Sequence, residues 1–178
     1  MKNWLLLLAL GLPLLARAAA LPAAPPTIVY LVRHGEKDLT PHLADPLLTT
    51  AGEARAQALA DRLTRQRPAA LFTTDTRRTR ATLVPLAQAT GLTPLVYSAQ
   101  EPTALATRIK QDYAGQTVVV VGHSNTLLPL LAALGVRQAA VPDIKDEEYD
   151  YLFKVTLRPG RPARLEVGHY GKQLEAKL

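Results

Sequence analysis

Two histidines and two arginines are the residues of this chain best placed to do chemistry. His34 follows the apolar, β-branched run Ile28 to Val32 and stands between Arg33 and Gly35. His123 follows a second such run, Thr117 to Val121, directly after Gly122. Arg78 falls at the start of a helical segment just beyond Phe72-Thr73-Thr74. In an open α/β sheet, ligands bind outside the carboxyl ends of the strands, and a glycine at such an end lets the backbone turn tightly. Two guanidinium groups and two imidazoles gathered at three strand ends would form a cationic pocket suited to a phosphate dianion. Taken singly, each reads as a satisfied surface or core residue. All four at strand-to-helix junctions read as a site.

The elements that must position these residues are visible in the hydropathy pattern. Ile28 to Val32 and Thr117 to Val121 read as buried central strands, Ala69 to Thr73 and Thr93 to Tyr97 as shorter ones. Helical spacing of alanine and leucine predicts helices over Thr50 to Arg65, Thr76 to Thr90, Glu101 to Tyr113 and Asn125 to Leu134, with Gly91 and Gly135 closing two of them. Tyr151 to Leu157 and Arg164 to Val167 predict a closing β-hairpin across Arg158 to Arg161. Strands alternating with helices imply a three-layer α/β/α sandwich with a mostly parallel central sheet and a C-terminal hairpin.

Composition narrows the chemistry. The 178 residues contain no cysteine, which excludes a disulfide framework, a thiolate metal site and a cysteine nucleophile. The net charge is +6 with scattered arginines and 5% aromatic residues, a balance better suited to a small anion than to nucleic acid. Lys2, the apolar run Trp4 to Leu15 and the small residues of Ala16-Arg17-Ala18 or Ala18-Ala19-Ala20 read as a signal peptide over residues 1–20. The run is shorter than the roughly 20 residues needed to span a bilayer, so no membrane anchor is expected. A Pro/Ala-rich linker over residues 21–27 would lead into one domain at 28–178, exported to the periplasm or secreted.

Four segments carry a resemblance to a known family. Tyr30-Leu-Val-Arg-His-Gly-Glu-Lys37, Asp45-Pro-Leu-Leu-Thr-Thr-Ala-Gly52, Phe72-Thr-Thr-Asp-Thr-Arg-Arg-Thr-Arg-Ala-Thr82 and Val119-Val-Val-Gly-His-Ser-Asn125 resemble, in order, the motifs of the histidine phosphatase superfamily, phosphoglycerate-mutase-like branch. The resemblance implies a phosphoric monoester hydrolase of the histidine acid phosphatase type. His34 would attack phosphorus and form a phosphohistidine that water then hydrolyses. Arg33, Arg78 and His123 would hold the phosphoryl oxygens, with no metal or other cofactor. The implied partner is a small phosphorylated substrate, and export makes an envelope sugar phosphate one candidate. Mutase activity is not expected, because little chain is left for a closing lid.

The chain departs from the family pattern at two points. Thr40 stands where an asparagine is common, which leaves its contact with phosphate open. Ser124 stands where some members carry an acid, so the proton for the leaving group must come from elsewhere. Glu101 and, as an alternative, Glu36 are the candidates; each reads equally as a solvated or capping carboxylate. Two other readings stay open. One is a serine hydrolase built on Gly122-His-Ser124, with His169 later in the chain. The other is a catalytically silent phosphate-binding module. The acidic run Asp143 to Asp150 reads as a surface loop or a substrate-facing rim, and His42 and His169 as surface residues.

Overall fold

The computed structural model describes residues 24–137 and 143–171. The expected signal peptide, and the linker up to residue 23, lie outside the described residues. The chain runs β1 (Thr27–Arg33), α1 (Thr50–Leu63), a 3-10 turn (Thr64–Gln66), β2 (Ala70–Thr73), α2 (Arg77–Thr90), β3 (Leu95–Val96), α3 (Pro102–Asp112), β4 (Thr117–Gly122), α4 (Ser124–Leu134), β5 (Tyr151–Leu157) and β6 (Arg164–His169). The six strands form one sheet in the order β3-β2-β4-β1-β5-β6. Pairings among β1 to β4 are parallel, and β5 and β6 add an antiparallel edge. The three-layer sandwich with a mostly parallel sheet and a C-terminal hairpin is therefore present.

Alternation along the strands builds the three layers. Val29 and Leu31 of β1 join Phe72, Val118 and Val120 under Leu105, Ile109, Leu127 and Leu131 of α3 and α4. Tyr30 and Val32 face the other way, with Leu71, Val119 and Val121, against Leu59 and Leu63 of α1 and Leu83 and Leu86 of α2. Strands covered on both faces read as continuous apolar runs, which is why β1 and β4 stand out in the sequence.

The boundaries differ from the pattern reading at a few ends. The strand expected over Thr93 to Tyr97 shrinks to two residues, because only Leu95 and Val96 pair with β2. The helix expected from Asn125 begins at Ser124, with His123 as its N-cap. Thr76 caps α2, its hydroxyl accepting from the Thr79 amide, and Gly91 closes that helix at φ +70°. These ends matter for function. The carboxyl ends of β2, β4 and β1 lie side by side, and Thr74, His123 and His34 follow them directly or within one residue.

Candidate active site

His34 is set by the sheet itself. Its amide donates to the Gly122 carbonyl at 3.0 Å, one step beyond the β1–β4 ladder. The side chain is buried, and Nδ1 lies 2.7 Å from the Gly35 carbonyl. A carbonyl only accepts, so Nδ1 carries the proton and Nε2 is left with a free lone pair. The loop holds this shape through two glycines in contact. A Cβ on Gly35 would come within 2.7 Å of the Gly52 carbonyl oxygen, and a Cβ on Gly52 would overlap the Glu36 carbonyl. The Gly35 amide donates to Thr82 Oγ1 at 3.0 Å, tying the loop to α2 as well.

His123 meets His34 edge to face, with ring centroids 5.2 Å apart. Its Nδ1 lies 3.4 Å from Arg78 Nη2, and since a guanidinium only donates, Nδ1 accepts and Nε2 bears the proton. Nε2 then donates to Thr74 Oγ1 at 2.9 Å, and the Thr74 hydroxyl in turn donates to Thr79 Oγ1 at 3.0 Å. Arg78 is aimed by Asp45, whose Oδ1 accepts from Nη1 at 3.2 Å and whose carboxylate also takes the Arg77 amide at 3.0 Å. Arg33 Nη1 donates to the carbonyls of Lys145, Asp146 and Glu148 at 2.8 to 3.1 Å. The Arg33 guanidinium lies 4.2 Å from the Tyr149 ring centre.

The electrostatics follow from this packing. Burial, more than any other cause, lowers the His34 pKa to about 3; the Gly35 hydrogen bond opposes it, and His123, Arg33 and Arg78 add to it. Burial lowers His123 to about 4, reinforced by Arg78, Arg33 and Lys37. Both imidazoles are neutral at pH 7. Meanwhile Arg33 Nε and Arg78 Nε are buried without a hydrogen-bond partner. Two orphaned guanidinium N–H groups beside a neutral imidazole are what an oxyanion would satisfy.

These groups open into a cleft of about 720 Å³, lined also by Lys37, Thr74, Tyr97, Gln100, Ser124 and Asp146. Of the sequence candidates, His34, His123, Arg33 and Arg78 come together there. Glu36 does not line it; its carboxylate is forked by Arg55 at 2.7 to 3.0 Å. Glu101 is exposed at the N-cap of α3, makes no side-chain cap bond and does not line the cleft. Thr40 is exposed and bonds Asp38 instead, through both its amide and hydroxyl. Ser124 lines the cleft, but His169 pairs with Asp150 at 3.0 Å and does not, so a Ser–His–acid arrangement is not assembled. Among the described residues no group of three or more His, Cys, Asp or Glu converges as a metal-holding set. Among them, too, no helix is long and apolar enough to cross a membrane.

Sequence reasoning missed four residues of the site: Thr74, Asp45, Lys37 and Tyr149. Thr74, Asp45 and Lys37 stand within the quoted motifs and could have been weighed there. Tyr149 carries no local signal, since it reaches Arg33 only through the fold.

The architecture and the paired histidines define an α/β protein of the histidine phosphatase fold. Residues 29–101 match the model of the histidine phosphatase superfamily (branch 1), which bears out the resemblance read from the motifs. A putative phosphohistidine phosphatase SixA from Agrobacterium tumefaciens is similar at 26% identity and TM-score 0.58, over 80% of this chain and 97% of that one. A mycobacterial glucosyl-3-phosphoglycerate phosphatase superposes at TM-score 0.66 and 18% identity, covering 82% of this chain and all of the other (100%). A putative alpha-ribazole-5'-P phosphatase from Escherichia coli does so at 0.65 and 16%, covering 80% and 96%. Comparison with curated proteins gives no match.

Proposed function

We propose that this chain is a phosphomonoesterase that works through a phosphohistidine at His34. The observation that carries the reading is the Nδ1 contact to the Gly35 carbonyl. It fixes the tautomer that leaves Nε2 unprotonated, in a cleft also lined by Arg33 and Arg78, each with an unpartnered Nε–H. Nε2 bonds to phosphorus as the P–O bond to the leaving group breaks, and the leaving oxygen departs with that electron pair. Water then cleaves the P–N bond, releasing inorganic phosphate and restoring His34. Arg33 and Arg78 stabilise the charge on the phosphoryl oxygens in both steps, and His123, whose Nε2–H goes to Thr74 and whose Nδ1 faces Arg78, holds that arginine in place, so the reaction asks for positioning and electrostatics rather than a metal.

The substrate class is a small phosphorylated molecule able to enter a cleft of about 720 Å³. The phosphatases similar in fold act on phosphoryl compounds by their names, which supports the class without selecting a member of it. Export after removal of residues 1–20, and an envelope sugar phosphate as substrate, belong to the same proposal.

The test is hydrolysis of p-nitrophenyl phosphate by the full chain in the presence of chelator, beside His34→Ala. Turnover that persists with chelator and vanishes in the variant is expected. Turnover retained in His34→Ala would overturn the nucleophile. Inactivity of the wild-type protein together with phosphate binding would favour the silent binding module.

A further inference from the structure

The strongest feature left unused by the mechanism is how Arg33 is held. The side chain of Arg33 is 7% exposed, yet among the described residues no buried carboxylate pairs with it. The nearest, Asp146 Oδ1, lies 3.9 Å from Nη2 on a side chain that is 98% exposed, so solvent screens it. The Glu148 carboxylate is turned to the Lys145 amide at 2.8 Å instead. What holds the cation is neutral: three main-chain carbonyls of residues 145, 146 and 148 on Nη1 and the face of Tyr149. The centre of the Tyr149 ring also lies 5.9 Å from that of the His34 ring, so one side chain neighbours both the cation and the nucleophile.

This arrangement differs from that of Arg78, whose guanidinium is aimed by the Asp45 carboxylate. A carboxylate orients a guanidinium but cancels part of its field. Carbonyl dipoles and a ring face orient it while leaving its full charge for an incoming anion. The unpartnered Nε of Arg33 is the N–H left over by this clamp.

We propose that Tyr149 is a positioning residue for phosphate: stacked on Arg33 and backed by the carbonyls of residues 145, 146 and 148, it fixes the plane in which the guanidinium meets a bound phosphoryl group. The proposal rests on the phosphate-binding reading above and extends it to the acidic run Asp143 to Asp150, which acts through its backbone and Tyr149 rather than through its carboxylates.

The experiment titrates the full chain with inorganic phosphate by calorimetry, with p-nitrophenyl phosphate kinetics alongside. Tyr149→Phe keeps the ring and is expected to bind phosphate within about twofold of wild type. Tyr149→Met keeps comparable volume but removes the aromatic face, and is expected to weaken phosphate binding about tenfold, with KM rising in step. In an Arg33→Ala background the same Tyr149→Met change is expected to have no further effect. Equal phosphate affinity in Tyr149→Met and wild type would overturn the proposal, as would an undiminished loss in the Arg33→Ala background. Wild-type protein that binds no phosphate would overturn the underlying reading as well, so the two failures are distinguishable. Should Tyr149→Met lose its fold by circular dichroism, Tyr149→Phe decides alone: a tenfold loss there would show that the hydroxyl, not the stack, is what matters, and would overturn the proposal.

Discussion

The carboxylate of Glu36 and the guanidinium of Arg55 form a forked ion pair, 2.7 Å at its shortest, with side chains only 16% and 4% exposed. Arg55 Nη1 reaches on to the Tyr170 carbonyl at 2.9 Å, so the pair ties the loop after His34 to α1 and to the end of the hairpin. A carboxylate engaged in this way, outside the cleft, does not reach a leaving group. Its work is to hold the loop.

The first prediction follows. Removing one partner of a buried ion pair costs up to about 3–5 kcal/mol. Glu36→Ala is expected to lower stability by that order in urea unfolding. The fraction that remains folded is expected to keep kcat within about tenfold of wild type, short of what loss of a general acid typically costs. A loss of kcat beyond that with unchanged stability would return Glu36 to the chemistry.

How much of this was legible in the sequence depends on distance along the chain. His34, His123 and Arg78 were readable because each sits beside a strong local signal, a β-branched run or a helix start. The layered sheet was readable because strands covered on both faces are continuous runs. The carboxylates were not. Nothing local to Glu36 announces Arg55, and nothing local to Glu101 shows that its side chain stays exposed outside the cleft. Thr40 failed for a different reason: its hydroxyl has a partner two residues away in Asp38 and takes it. Tyr149 meets Arg33 only because β5 pairs with β1 and brings the preceding loop across the strand end.

Arg78 supports a second prediction. Asp45 orients it and His123 faces it, so the guanidinium is fixed before substrate arrives. Arg78→Ala is expected to lower kcat/KM by about 10²–10³, the size seen when one preorganised charge-stabilising donor is removed. Arg78→Lys is not expected to restore it, because an ammonium cannot serve Asp45, His123 and a phosphoryl oxygen from one plane. Steady-state kinetics on p-nitrophenyl phosphate check both. Full activity in the lysine variant would show that charge alone suffices.

The depressed histidines give a pH prediction. With folded pKa values of about 3 for His34 and about 4 for His123, both are neutral down to pH 5. In the unfolded chain the same imidazoles protonate near their ordinary value of about 6.5. Between those limits the unfolded state binds more protons, so stability falls as pH drops below about 6.5 and continues falling towards the folded values. Each such histidine contributes a slope of up to about 1.4 kcal/mol per pH unit within that window and none above it. Urea unfolding between pH 4 and 8 is expected to show this loss, and His34→Ala to reduce its slope. Ring proton shifts that titrate near 6.5 in the folded protein would sink the assignment of a neutral nucleophile.

The last prediction concerns the leaving group. The carboxylates that line the cleft, Asp75 and Asp146, have side chains 77% and 98% exposed, and Asp75 is paired with Arg80 at 2.6 Å. Both carboxylates stand in solvent rather than against the reacting groups. Tyr97 lines the cleft too, but burial pushes its hydroxyl up to about 12, and it lies 3.5 Å from the Val121 carbonyl. The site is therefore rich in groups that stabilise a phosphoryl anion and poor in groups that would protonate a departing alkoxide. Rates are expected to depend steeply on the acidity of the leaving group, with aryl phosphates cleaved much faster than alkyl phosphates. Glu101→Gln is expected to change neither series by more than about twofold, since removing a carboxylate outside the cleft removes no proton donor from it. A flat dependence on leaving-group pKa in the wild-type protein, made steep by Glu101→Gln, would show that Glu101 reaches the substrate after all and supplies that proton.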